Sequence, residues 1–489
     1  MRKLSRWLLL LAVTAAGQQA PPPAPEAPTF RAGIKLVQVD VIARDKRGPA
    51  AGLTKNDFTI FDNGRQQEIA VFSAKSSVRS QQAAAVLPPG IVSNRVNSEG
   101  QTPGQGTIVL LDQKNTPVLP NDLQAYAISE IARFVERRRK QDRIGIYTLT
   151  REGLVAVQDL TDNSELLTRA VKSLKPQMPA YRDCQDVGLE CALTLLTERA
   201  LETKRSFQAI ARHLASVPGR KTLVWVSASF PLRSRYFDFT PDMQEAARAL
   251  NDANVALYSL DARGLIAAGR GIYPPGFETM DLVSEATGGE VFFNTNGIQE
   301  SIEEAVEDGD VVYTLGFYPL QEEQDGVSHK LKVEVARKGV IVRYRETYVA
   351  AGIQTAAIAP ETVEQLLKDS LDATQIELAA RAEADPAQAG SYKVQVSVNL
   401  HDVQFQHQGT SWLAELGIGF YVKGTEGFRV ITRKFDFPEK VFAAAVDKGT
   451  LIDTSIAFAG PKGVLRIVVQ DHATGAAGSV GVLLGKGWP

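Results

Sequence analysis

No broad field of one charge sign exists in this chain: 54 Lys and Arg stand against 56 Asp and Glu, for a net charge of −2. A phosphate backbone therefore finds no extended positive surface, which argues against a nucleic-acid partner. The one dense basic run, Arg137 to Lys140, closes a predicted helix, where cations complement the dipole. Histidine is scarce, and none of His213, His329, His401, His407 and His472 has a partner at zinc-motif spacing. His401 and His407 lie in a predicted β region and read as surface or turn positions. The chain lacks a Gly-x-Ser-x-Gly elbow and a Gly-Lys-Ser/Thr phosphate loop, which removes the commonest hydrolase and nucleotide routes for an α/β sheet. Gly264 to Gly271 is glycine-rich but misses dinucleotide spacing, so a flexible loop is expected there. No apolar run reaches the roughly 20 residues needed to span a bilayer.

What is present is ordinary globular material, 44% hydrophobic and 22% charged, in a length that suggests about three domains. Arg2, Lys3 and Arg6 precede an apolar run from Trp7 to Val13 and the small residues Ala15, Ala16 and Gly17. This order reads as a signal peptide over 1–17, with an uncleaved anchor as the alternative, so a secreted or periplasmic protein with no transmembrane segment after its removal is expected. Export implies an oxidising compartment, in which Cys184 and Cys191, close in DCQDVGLEC, are expected to form a local disulfide. A continuous helix across both positions would instead leave two thiols too far apart to bond.

Residues 18–29 are a Pro-rich linker. The alternation of KLVQVDV and the turn signals at Lys46-Arg47-Gly48 and Asp62-Asn63-Gly64 predict a small N-terminal β module over 30–75. Its core is small enough that dependence on a neighbour is expected. Residues 76–105, rich in Ser, Gln, Gly and Pro, read as a linker. Buried strands follow at 107–112, 144–149, 222–227, 255–260 and 290–294, separated mostly by amphipathic segments. Continuous apolar strands alternating with helices imply a doubly wound, mainly parallel sheet covered on both faces. Three further strands, at 311–319, 330–337 and 340–348, lack intervening helices and are expected as an antiparallel edge that completes a domain over 106–350. Charged, Ala-rich residues 360–386 predict a connecting helix, and renewed alternation predicts a C-terminal β-sandwich over 388–489.

In such sheets ligands bind at the carboxyl ends of strands. The first strand there ends in Asp112-Gln113-Lys114-Asn115-Thr116, and at this point the chain resembles the von Willebrand factor A domain, a Rossmann-type fold. Together the phrases VDVIARDKRG, GLTKNDFTIFDNG, PGRKTLVWVSASFP, ATGGEVFFNTN and YTLGFYP resemble the VWFA-related Acidobacterial domain family. The resemblance implies a divalent-cation site opening with Asp-x-Ser-x-Ser. Asp112 matches the leading aspartate and Thr116 the second hydroxyl, but Lys114 stands where a hydroxyl ligand is expected and has no lone pair to offer. It can instead pair with Asp112. Ser227 and Ser229 stand where a later aspartate is expected, and Thr194 is a distant match for a threonine ligand. One carboxylate with scattered hydroxyls makes a poor site for a hard cation, so no bound metal is expected, with Asp112 and Thr116 as weak ligands and Mg as the cation to test.

The expected function is therefore an exported, non-enzymatic protein-binding or adhesion-type protein with a degenerate metal site and no cofactor. Its expected partner is a protein or other cell-surface macromolecule. The expected binding rim is Asp112, Lys114, Thr116, Ser227, Ser229 and Asp261, with helix capping as the alternative for Asp261 and loop capping for Asp112. Metal-dependent adhesion through a remodelled site, or an enzyme of unrecognised type in the same crevice, are the alternatives.

Overall fold

Four of the five apolar runs expected as buried strands after residue 106 are buried strands, while the fifth, at 290–294, is reduced to Val291–Phe292, which is only partly buried. β1 (Gly106–Asp112), β2 (Arg143–Thr150), β4 (Lys221–Ser227) and β5 (Val255–Asp261) are buried at every position, as continuous apolar sequence requires in a sheet covered on both sides. In this computed structural model the described residues are 36–76, 90–95, 106–116, 123–140, 142–177, 188–265, 274–319, 327–349, 362–388, 390–425, 427–457 and 463–484. The expected signal segment and Pro-rich linker lie outside them, as does Cys184.

With β3 (Gly153–Thr161) and β6 (Val291–Phe292) the central sheet has the order β3-β2-β1-β4-β5-β6. All neighbours run parallel except β2 and β3, which form an antiparallel edge. This is the doubly wound order, reversing direction between β1 and β4. Alternate side chains point to opposite faces. Ile108, Leu110, Leu223 and Trp225 pack against α3 (Leu189–Leu214), α4 (Thr240–Asp252) and α5 (Phe277–Thr287). Val109, Leu111, Val224 and Val226 pack against α1 (Leu123–Arg137), α2 (Ser164–Ser173) and α6 (Ile298–Glu307). α1 forms because Ala127, Ile131, Phe134 and Val135 fall on one face, all buried.

Residues 311–349 do not extend this sheet, so the expected antiparallel edge is corrected. Val311–Phe317 runs antiparallel to both Val37–Asp45 and Val71–Ser76, and Ser328–Val335 runs antiparallel to Phe58–Asp62. Two sheets assembled from 37–76 and 311–349 enclose one core of Val39, Val41, Ile60, Tyr313, Leu315 and Phe317, among others. The α/β domain is thus inserted into a β-sandwich whose strands come from both sides of it. Too small to bury a core alone, the N-terminal segment acquires one by pairing across the insertion.

The stretch expected as a linker over 76–105 also contributes structure. Val92–Ser93 pairs with Leu378–Ala384 at the edge of the C-terminal module. Asn94, 4% exposed, donates through Nδ2 to the carbonyls of Ala373 and Ile376, both at 2.8 Å, and accepts from the Leu378 amide at 2.9 Å. Replacing Asn94 with alanine leaves those buried groups unpaired and is expected to cost about 2–3 kcal/mol, read as a lowered urea midpoint with an unchanged slope.

The helix expected over 360–386 is confined to Val363–Lys368. Leu378–Ala384, Ala-rich and helix-favouring, is instead a strand paired along its length with Ser391–Val398, an example of tertiary pairing overriding local propensity. The C-terminal β-sandwich itself is present: Val92–Ser93, Leu378–Ala384, Ser391–Val398 and Thr450–Ala457 form one sheet. Ser411–Val422, Arg429–Pro438, Gly463–Asp471 and Ala477–Leu484 dominate the other. No described helix is long and apolar enough to cross a membrane.

Candidate functional site

At the carboxyl ends of β1 and β4, where the sheet reverses direction, the fold gathers four of the six expected rim residues. Asp112 ends β1, Ser227 ends β4, and Thr116 and Ser229 lie in the turns that follow. Strand pleating turns Asp112, Trp225 and Ser227 toward α3. The Asp112 carboxylate, fully buried, accepts four hydrogen bonds. Oδ1 takes the Asn115 amide at 2.9 Å. Oδ2 takes Asn115 Nδ2 at 2.8 Å, Trp225 Nε1 at 2.9 Å and Ser227 Oγ at 2.8 Å. Burial lifts the pKa of Asp112 above the usual carboxylate range, opposed by the donors from Asn115, Ser227 and Trp225.

The rest of the turn is tied with equal completeness. Asn115 Nδ2 donates to Thr203 Oγ1 at 3.0 Å, and Arg199 Nε donates to Asn115 Oδ1 at 2.9 Å, so α3 is bound to the strand end. The Ala228 amide donates to Thr116 Oγ1 at 3.0 Å. Gln124 Nε2 on α1 donates to the carbonyls of Thr116 and Gln177. Ser229, at φ 59°, donates its amide to Ser227 Oγ at 2.8 Å, while its own hydroxyl is buried with no hydrogen-bond partner.

Two expected contacts are corrected. Lys114 does not pair with Asp112, whose oxygens are already occupied: its ammonium reaches Glu198 on α3 at 3.1 Å. Asp261 neither caps a helix nor joins the cluster. It holds Arg263 through Nε and Nη2, each at 2.8 Å, and accepts the Arg263 amide at 3.0 Å. Thr194 is exposed on α3 and spends its hydroxyl on the Glu190 carbonyl. None of the six residues forms an exposed rim, since their exposures run from 0 to 6%. Among the described residues, exposed side chains in the segments that follow these strands include Tyr236 after β4, Leu265 after β5 and Phe293 after β6, and Glu198 reaches Lys114 from α3.

Sequence reasoning missed Asn115, Arg199, Thr203 and Trp225. Only Trp225 carries a local signal, because a buried indole inside an aliphatic strand must find an acceptor for its N–H. Cys191, in the first turns of α3, is disulfide-bonded. Among the described residues no group of three or more His, Cys, Asp or Glu could hold a metal ion.

Comparison with known proteins gives likenesses at low identity. An aerotolerance-related membrane protein from Bacteroides fragilis NCTC 9343 shares 13% identity over 42% of this chain and 98% of its own, with a TM-score of 0.29. The pilus adhesin SpaC from Lactobacillus rhamnosus GG, in its open conformation, shares 9% over 90% of this chain and 60% of its own, at 0.30. The ArnB paralog VWA2 from Sulfolobus acidocaldarius shares 12% over 75% of each chain, at 0.26. No family model matches the chain, and no curated protein does. The strand order and directions given above define the α/β fold independently of these likenesses.

Proposed function

We propose that the chain is an exported, non-enzymatic protein-binding or adhesion-type protein of the VWFA-related Acidobacterial domain kind, contacting a protein or other cell-surface macromolecule without metal or cofactor. The observation that carries this reading is the saturation of Asp112 by four protein donors. A hard cation wants several oxygen ligands, carboxylates among them. Here it would have to displace Asn115, Trp225 and Ser227 from Asp112, and the neighbouring strand-end carboxylate, Asp261, is already held by Arg263. The residues do not fit the cation that the resemblance implies.

Catalysis finds equally little footing. Ser227 and Ser229 are buried, Ser227 donates its hydroxyl hydrogen bond to Asp112, and Ser229 has no base in hydrogen-bond reach. With the six expected residues buried, the contact surface in this reading falls to exposed side chains of the segments beyond the strands, such as Tyr236, Leu265 and Phe293. Exposed aromatic and aliphatic side chains beside charge suit a protein partner.

Calorimetric titration of the mature protein with magnesium, manganese and calcium tests this reading. No saturable heat is expected from the native chain, and none from Lys114→Ser, because Asn115 and Trp225 still occupy Asp112. A stoichiometric heat from the native chain would reverse the reading in favour of metal-dependent adhesion.

A further inference from the structure

The junction between the α/β domain and the C-terminal sandwich is built around one buried histidine. Residues 369–374 form the wedge: Leu371 inserts into the core beneath α3 and α4. The Ser370 hydroxyl donates to the Leu154 carbonyl at 2.6 Å. Arg212 holds Asp369 at 2.9 Å, and the Thr374 amide and hydroxyl donate to backbone carbonyls at the end of α3. On the sandwich side Arg466 binds the Leu371 carbonyl, Asp372 and the Ser479 hydroxyl.

His213, 6% exposed, faces this wedge with both ring nitrogens occupied. Nδ1 lies 2.8 Å from the carbonyl oxygen of Asp372, which can only accept. Nε2 lies 3.1 Å from Oδ2 of Asp159, a carboxylate that also accepts Tyr147 Oη at 2.8 Å and the Leu160 amide at 2.7 Å. Two acceptors require two N–H donors, and only the imidazolium carries both. A neutral ring must turn a lone pair on either the carbonyl or the carboxylate.

We propose that His213 is a proton-operated latch, docking the C-terminal sandwich on the α/β domain while its ring holds two protons and loosening it when one is lost. The charged groups around it favour the held state. Asp159 on β3 and Asp372 on the wedge draw the proton on, Arg212 is committed to Asp369, Arg466 to Asp372, and Arg143 on β2 lies near Asp159 and Asp162. Burial alone would lower the pKa of His213, but hydrogen bonding and charge from Asp159, with the Asp372 carbonyl, carry it above the ordinary value. Asp159 is itself held well below the usual carboxylate range: burial opposes this, and the His213 bond and charge, the Leu160 amide and the Tyr147 hydroxyl outweigh it. A histidine with a raised folded pKa stabilises fully below its free pKa of about 6.5 and loses that contribution as pH rises through the folded value. The latch is closed in acid and opens toward alkaline pH.

Histidine-selective NMR titration of the full chain, with His213 assigned by its loss in His213→Gln, reads the proton directly. Hydrogen exchange at the Ser216 and Thr374 amides, corrected for intrinsic rate and referred to Val224, reads docking. The His213 midpoint is expected above 6.5, and exposure of both amides is expected to rise roughly tenfold per pH unit between about 6.5 and that midpoint. In His213→Gln the rise is expected to vanish. Should that variant not fold, Asp159→Asn, which removes the charged acceptor, is expected to lower the midpoint. A native midpoint below 6.5, flat exposure across it, an equal rise in His213→Gln, or an unchanged midpoint in Asp159→Asn would each overturn the latch.

Discussion

Replacing Asp308 with alanine is expected to lower the stability of the protein by about 3–5 kcal/mol, the scale for removing one partner of a buried ion pair. Asp308 follows α6 and is fully buried. Its Oδ1 accepts from Arg44, on the first strand of the N-terminal sandwich. Its Oδ2 accepts Arg343 Nη1 at 2.8 Å and the Tyr258 hydroxyl, from β5, at 2.9 Å. One carboxylate therefore joins the first strand of the described chain, a strand beyond the insertion and the central sheet. Without it two guanidinium groups, only 17 and 22% exposed, keep their charge beside an empty seam. Arg44 retains Glu304 and Arg343 retains Glu290, which is why a value near the lower end of the range is expected. Urea unfolding followed by far-UV circular dichroism measures it, and a change under 1 kcal/mol would show that the seam is held by apolar packing alone.

Asp112→Ala is expected to cost about 3–5 kcal/mol, since it strips the acceptor from Trp225, Ser227 and both Asn115 donors in a fully buried place. Asp112→Asn keeps the shape but not the chemistry. Both oxygens face donors, so an amide nitrogen must confront one of them, and about 2 kcal/mol of the loss is expected to remain. Because burial raises the pKa of Asp112, its ionised form is disfavoured in the folded state, so its contribution is most favourable at low pH and weakens as pH climbs past the unfolded carboxylate value. A double-mutant cycle with Trp225→Phe separates the shared bond: the two losses are expected to be less than additive by about 1 kcal/mol. Strict additivity would mean that the indole N–H contributes nothing through Asp112.

The central sheet was legible in the chain because its evidence is local. A run such as TIVLLD or TLVWVS states its own burial, and the helical spacing of Ile131 and Phe134 states which side of α1 is covered. β3 escaped notice because Gly153–Thr161 mixes exposed and buried positions along a half-covered edge. The pairing of 37–76 with 311–349 was out of reach for a different reason: the strands at 311–319 and 330–337 read correctly alone, while 340–348 is broken into Ile341–Arg343 and Thr347–Val349 on different sheets, and the choice of neighbour is made across the whole inserted domain. At the strand ends, Asp112 was found from the rule that ligands bind at strand carboxyl ends, and Thr116, Ser227 and Ser229 from the resemblance to the von Willebrand factor A ligand pattern; short turns keep all four close to their strands. Arg199 and Thr203 come from α3, and nothing in their own surroundings along the chain reports the carboxylate network they complete.

The inserted arrangement also fixes an order of events during synthesis. The first described strand, Val37–Asp45, waits for Val311–Phe317, so the N-terminal side of this sandwich can close only after the inserted domain has been made. Bringing Ser76 to Val311 through a fully flexible intervening chain would cost roughly 5 kcal/mol in loop entropy. A folded α/β domain, whose entry and exit both lead to the sandwich, removes most of that cost in advance. The insert is therefore the jig on which the outer module is assembled, and until it has folded the N-terminal strands remain exposed to wrong partners.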